Sequence, residues 1–369
     1  MKFQRCLAMS MVTGAIVMLT GCGGDPPRDG EGGKGSSSTT SSGQGTGGAA
    51  QGTGGGDQGT GGGFGGAPAS MKELFALLGP EPLPFKIDAK NGGVLKTATL
   101  SLTIPPLSIL DKAGVPLDVD TDGDGVPDAH QVTDPVALSL REFRSVGDMV
   151  RGGRPTMASD GSFLESSGAF ELEATTENGK PLVVQDLAKV TFQQWDKSNP
   201  KGMGMWLGKP DSDVWVQPMV KDPLAMLVEP PAYYFDSLPF GSIGGYSAAN
   251  CDKIVNLAAD HMTLRVKLAK PFVAEAGVFF LPSGVNSAAK LYTKDPSLPG
   301  FVSYADTMPV GVQGKLIVVS LVAGSYYLFH DDAFTIPTGV AVAGVKEATI
   351  TPIPVAVSQA TFMSYMNGL

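Results

Sequence analysis

Aspartates alternate through Asp118-Val119-Asp120-Thr121-Asp122-Gly123-Asp124-Gly125-Val126-Pro127-Asp128, and that spacing is the sharpest chemical signal in the chain. Calcium is a hard cation that takes six to eight oxygen ligands, and alternating carboxylates on a tight loop supply them. Without a cation these carboxylates would repel one another, which is the cost a plain solvated turn would carry. Glycines 123 and 125 let the backbone turn sharply between ligands. The expected ligands are Asp120, Asp122 and Asp124, the carbonyl of Val126, then Asp128 and Gln131, with Asp118 beside them. Asp134 is the alternative to Gln131 for closing the shell.

Counted from Asp120, these residues follow the EF-hand order, with Gly125 at the sharp-turn position. At the twelfth position Gln131 stands where an EF-hand has a bidentate glutamate. Pro127 and strand-like sequence on both sides leave no room for paired helices. The segment 118–134 is more similar to a single thrombospondin type-3-like calcium loop set between two strands. Affinity at the weak extracellular end, ~10⁻⁴ M, and a structural role are expected.

Other reactive residue types form no such pattern. His130, His261 and His330 lie far apart without metal-ligand spacing, and His330-Asp331-Asp332 is expected to be a turn at a strand end. No Gly-x-Ser-x-Gly is present, and no glycine-rich loop has the lysine and the strand–helix setting of a phosphate cradle. Aromatics gather at Tyr233 and Tyr234, with Trp206 and Trp215 upstream. They would suit a stacking platform for a sugar or peptide, although rings within strands more often pack a core. The chain is therefore read as a non-catalytic module for binding or adhesion, or a structural module of the envelope, stabilised by calcium. The alternative is a lipid-anchored, glycan-acting hydrolase whose paired carboxylates the sequence does not single out.

The formal net charge of −9 and the absence of a basic cluster after the first residues argue against nucleic-acid binding. At the start of the chain, Lys2 and Arg5 precede an uncharged apolar run from Leu7 to Leu19 that is too short to span a bilayer. The run ends in Leu19-Thr20-Gly21-Cys22, which resembles the lipobox of bacterial lipoproteins. That resemblance implies removal of residues 1–21, lipid on Cys22 and residence in the cell envelope, on the outer membrane or cell surface. Of the three cysteines only Cys251 then remains in the folded part, so no internal disulfide is expected. Cys251 is read as a small buried residue.

Residues 22–69 are Gly-, Ser-, Thr- and Gln-rich, with the repeat Gln-Gly-Thr-Gly-Gly at Gln44, Gln51 and Gln58. Such a stretch cannot offset its ordering entropy and reads as a disordered tether, with a reach of roughly 35–40 Å. At Ser70 the texture changes. Ser70 and Glu73 have capping-box spacing ahead of Leu74, Leu77 and Leu78, and Gly79-Pro80 stops a short helix.

Beyond Pro84 the dominant period is two, in segments such as Thr97–Ile104, Val136–Phe143, Ala169–Thr175, Val214–Gln217, Met262–Leu268 and Lys315–Leu321. Short alternating strands broken by turn residues predict a mostly β chain of one or two antiparallel β-sandwich domains. A last short helix is expected after Ser358. A soft boundary at Ser198-Asn199-Pro200 divides the chain into regions 70–198 and 199–369.

Within 70–198 the order of Gly92-Gly93-Val94-Leu95, Ser101-Leu102-Thr103-Ile104-Pro105 and Asp111-Lys112-Ala113-Gly114-Val115-Pro116 resembles ZU5-like β domains of bacterial surface lipoproteins. Arg141-Glu142-Phe143, Gly147-Asp148-Met149-Val150, Glu165-Ser166-Ser167-Gly168 and Phe170–Ala174 continue the likeness. It implies an extracytoplasmic module and carries over no catalytic residue; an unknown envelope protein or a glycan is separately expected as the partner.

Overall fold

The computed structural model describes residues 68–111, 132, 135–193, 202–209, 212–217, 226–228, 232–238, 240–241, 245–292, 299–342 and 344–369. Its first element is helix α1 (Met71–Leu78). Ser70 Oγ accepts from the Glu73 N–H at 3.2 Å, and the Glu73 carboxylate reaches back to the Ala69 N–H at 2.7 Å. The first bond satisfies one of the orphan donors at the helix start, and the second ties down the residue before the cap.

Strands β1 (Leu83–Asp88), β2 (Gly93–Lys96), β3 (Leu100–Ile104), β4 (Ile109–Asp111) and β5 (Pro135–Phe143) follow. Helix α2 (Val146–Arg151) is closed by a capping box in which Ser145 and Asp148 bond reciprocally. Next come β6 (Leu164–Thr175), β7 (Pro181–Val184), β8 (Leu187–Gln193), β9 (Gly204–Gly208), β10 (Met226–Val228), β11 (Ala232–Leu238) and β12 (Ala248–Ile254). After β13 (His261–Lys267), the short α3 (Lys270–Val273), β14 (Ala276–Pro282), β15 (Ala289–Leu291), β16 (Gly300–Val302) and β17 (Met308–Pro309), the long hairpin β18 (Gln313–Val322) and β19 (Ser325–Thr335) forms. The chain ends with β20 (Val340–Val342), β21 (Val345–Ile350), β22 (Val355–Val357) and α4 (Gln359–Asn367).

The protein is mostly β, with antiparallel sheets and a short helix near each end of the described region. One sheet runs β1-β5-β6-β12-β9, with β7 and β4 attached through β6; a second runs β10-β11-β8-β3-β2. They face each other across one core. Alternate residues supply it, among them Leu100, Leu102 and Ile104 from β3, Leu138 and Leu140 from β5, and Phe170 and Leu172 from β6. Rings of Phe170, Phe192 and Phe240 meet there with centroids 5.6–5.8 Å apart. Strands β3 and β5, adjacent in the sequence pattern, thus lie in opposite sheets. Strands on both sides of residue 198 share sheets, since β12 pairs with β6 and β11 with β8.

The remaining strands form the sheet β15-β14-β18-β19-β22, and another ordered β16-β13-β21-β20 in which β13 and β21 run parallel. Both faces of β14 and β18 are covered, which is why their apolar runs are continuous rather than alternating. Val278, Phe280, Leu316 and Val318 meet β13, whereas Phe279, Ile317 and Val319 meet α1 and α4. Phe75 of α1 packs edge-on to Phe279 at 5.9 Å. Leu74 is fully buried on the same face, and burial of each such side chain contributes about 1.5–3 kcal/mol. Helix α1 is thereby fixed beside the outer face of the first sheet.

Three local expectations change on folding. Val214–Gln217 makes only isolated bridges through Trp215 and Val216. His330-Asp331-Asp332 lies inside β19, not at its end, where a register shift opposite Gly314 and Leu316 accommodates it. Segment 232–238, singled out for its aromatics, is a full strand of the sandwich.

Candidate functional site: a charged groove beside helix α1

Cys22 and the calcium-loop residues Asp118, Asp120, Asp122, Asp124, Val126, Asp128 and Gln131 lie outside the described residues, as does Asp134. The described flanks of that loop meet one another. The Val132 N–H donates to the Ile109 carbonyl at 3.0 Å, so the chain returns to β4 after the acidic segment. Among the described residues no group of three or more His, Cys, Asp or Glu could hold a metal ion.

The four aromatics considered for a platform do not share a surface. Trp206 and Trp215 are 6% and 2% exposed, and their indole N–H groups donate to the Asp252 and Pro155 carbonyls. Tyr233 is fully buried in the sandwich core. Only Tyr234 faces outward, where Lys189 lies over its ring at 4.5 Å. Its hydroxyl donates to Asp236, which pushes the phenol pKa up. Three of the four rings are therefore packing residues, and the platform is corrected to a single half-buried tyrosine.

A groove of about 560 Å³ opens instead where α1 passes the outer face of β5 and β6, a size that suits a small ligand or part of a chain. Helix α1 contributes Lys72, Phe75 and Ala76; the strands contribute Arg141, Glu171 and Glu173. Arg154, Ser212, Asp213 and Lys290 complete its charged lining. The strand residues face the groove because alternation that sends Leu140 and Leu172 inward turns their neighbours outward.

Arg154 is delivered by a tight turn after α2. A Cβ on Gly152 would lie 2.3 Å from Phe143 Cε1, and one on Gly153 (φ +68°) 2.7 Å from Phe75 Cδ2. Neither position has space for a side chain, and the second also has backbone geometry that favours glycine. The turn sets Arg154 against Glu171, with which it makes an ion pair through Nε. Arg154 Nη1 donates in addition to the carbonyls of Lys209 at 3.1 Å and Ser212 at 2.9 Å.

Arg141 stands directly across from Glu171 in the β5–β6 register, yet its Nη1 is 3.8 Å from Glu171 Oε2. Lys290 pairs with Asp213 at 2.6 Å and lies 5.7 Å from the Phe75 ring centre. Glu173 is exposed. The arrangement can bind polar or charged groups. Glu171 is held by the Arg154 guanidinium and Asp213 by the Lys290 ammonium, whereas Glu173 stands exposed at the groove.

No protein-family model and no curated protein matches the chain. The groove residues were not legible in advance. Arg141 and Glu171 became neighbours through register, and the only sequence hint was the Gly152-Gly153 pair ahead of Arg154.

Proposed function

We propose that this chain is a lipid-anchored, extracytoplasmic binding module of the bacterial cell envelope, not an enzyme. The observation that carries the reading is Cys22 at the end of the Leu7–Leu19 apolar run, followed by a Gly-rich stretch that leads to a β body. A diacylated cysteine holds a protein to a membrane without crossing it, since each buried methylene contributes ~0.8 kcal/mol. Two of the groove's three carboxylates, Glu171 and Asp213, are paired with cations, which supports binding over hydrolysis. Calcium in the loop 118–134, closed at its base by the Val132–Ile109 contact, is proposed as a structural cofactor.

Expression in a bacterial host with and without Cys22→Ser tests the anchor. The parent should fractionate with membranes and carry acyl chains on Cys22 by mass spectrometry, whereas the variant should be released. Equal membrane association of an unacylated parent and its variant would overturn the anchor. The hydrolase reading draws on the three carboxylates of the groove. It would gain only if glycan cleavage were lost in Glu171→Gln and Glu173→Gln while binding persisted.

A further inference from the structure

A second cavity opens where the chain passes from the first pair of sheets to the second. Strand β12 ends at Ile254, residues 255–260 cross over, and β13 begins at His261. The Val255 N–H donates to the Phe163 carbonyl at 3.0 Å, and the Val310 N–H to the Asp260 carbonyl at 2.9 Å, so both ends of the crossover are tied down. Between it and the turns around Gly161 and Asp306 lies a space of about 320 Å³. That is the lower end of the range for small-molecule sites, which favour such junctions.

Backbone geometry holds the two turns in place. Gly161 has φ +88°, and a Cβ there would lie 2.5 Å from Tyr304 Cβ, so only glycine lets the turns meet. Asp306 takes φ +55°, a left-handed conformation that aspartate and asparagine enter more readily than bulkier residues. Its N–H donates to Thr263 Oγ1 at 3.0 Å, and Thr307 Oγ1 donates to the Tyr304 carbonyl at 3.0 Å.

The lining is apolar with charge of one sign. Phe163, Val255, Leu257 and Pro309 give apolar walls, and Ile254 beside them stays 56% exposed. Asp306 supplies a carboxylate, and no lysine or arginine is among the residues that line the space. The Asp306 carboxylate has no ion pair or hydrogen bond among the described residues, and neither has the ring of His261, the other titratable group there. Cations nearby are already matched. Lys346 holds Asp260 at 2.6 Å, and Lys253 holds Glu165 at 2.8 Å. Asp160, next to Gly161, accepts from the Ser162 N–H at 2.9 Å and adds a second uncancelled negative charge.

We infer that this cavity binds a small organic cation, a primary ammonium carried on an apolar body the size of one ring. Burial of the body against the apolar walls supplies the affinity. The carboxylate of Asp306, being exposed, adds little to that affinity but selects among ligands of like shape by charge.

The test is calorimetric titration of the intact protein with phenethylamine, phenethyl alcohol, hydrocinnamate and ethylamine. Phenethylamine should bind about threefold more tightly than the alcohol and about tenfold more tightly than the acid, the range an exposed charge pair and its reversal allow. Ethylamine, which lacks the body, should not bind measurably. Asp306→Asn keeps a residue that tolerates the left-handed backbone, and should bind phenethylamine and the alcohol equally, with the thermal midpoint measured to establish that it is folded. Asn256→Trp, at an exposed lining position away from Asp306, should block both.

If Asp306→Asn fails to fold, the ranking of the four probes and the block by Asn256→Trp decide the matter. Alcohol or acid binding as tightly as the amine overturns the inference, as does ethylamine binding as tightly as phenethylamine. So does an undiminished preference in folded Asp306→Asn, unchanged binding in folded Asn256→Trp, or binding by none of the probes. The lipid anchor at Cys22 is tested separately and stands or falls without this cavity.

Discussion

Asn250 and Asp252, two residues apart on β12, are joined by a hydrogen bond sealed from solvent, with Asn250 Nδ2 donating to Asp252 Oδ2. Ser166 on β6 donates to Asn250 Oδ1 at 2.8 Å, which leaves Asp252 Oδ1 without a partner. The cluster sits where the β6–β12 register shifts. Asn250 faces Ala169 and Asp252 faces Ser166, so Ser167 and Gly168 bulge outside the pairing. Gly168 takes φ +130° there, and its N–H donates to Ser166 Oγ at 3.0 Å.

Burial pushes the Asp252 carboxyl well above its ordinary value of 3.8; the nearby Ser166 hydroxyl pulls it back, and the charge of Glu165 raises it further. The folded state therefore holds this proton more tightly than the unfolded chain. Stability from this group is lost as pH rises from about 4 toward the folded value, and is level beyond it. Urea unfolding of the parent and Asp252→Asn from pH 4 to 8 should show the variant gaining on the parent as pH increases. The slope is limited to about a tenfold change in equilibrium constant per pH unit. Parallel curves for the two proteins would sink the assignment of a buried acid.

Calcium should stabilise the folded protein through the loop 118–134. A cation at 100 times its dissociation constant adds ~2.7 kcal/mol when it binds the folded state alone, several degrees in the thermal midpoint. Melts in chelator and in several millimolar calcium, beside Asp122→Ala/Asp124→Ala, measure this. A rise in the parent alone is expected. No rise at any concentration removes calcium from the proposal.

The turn after α2 should tolerate no side chain. Gly153→Ala combines a left-handed backbone with a Cβ 2.7 Å from Phe75, and a loss of about 2 kcal/mol or more is expected. Unfolding in urea measures that loss. An unchanged midpoint would mean the turn is looser than its contacts indicate.

The β18–β19 hairpin carries the opposite kind of site. Ala323 and Gly324 connect the paired residues Val322 and Ser325, with φ of +48° and +75°. Two positive φ values in a two-residue loop are the type I′ geometry, which an alanine adopts at a cost of roughly 1–2 kcal/mol. Ala323→Gly should therefore raise stability by about 1 kcal/mol in denaturant unfolding, and a decrease would contradict the strain.

What the residues determined alone is local. Ser70 and Ser358 set the starts of α1 and α4 through side-chain caps, contacts confined to one helical turn. Alternation in Leu100–Ile104 and Pro135–Phe143 marked strands because one face of each had to leave water, and the resulting chain is mostly β. Strands with one polar face and weak alternation, such as Ala248–Ile254, carried no such mark, since Asn250 and Asp252 are buried through partners on another strand.

Tertiary structure alone decided which strands pair. Register is a long-range choice, and only it set Arg141 opposite Glu171 and placed β3 and β5 in separate sheets. It also decided the fate of the aromatics. Trp206 and Trp215 have the composition of a binding surface, but whether a ring stacks on a ligand or fills a core depends on what covers it. Here Leu164, Ala248 and Phe143 do. The groove arises for the same reason: Phe75 packs on Phe279 from one sheet, and that contact holds α1 alongside the polar face of another.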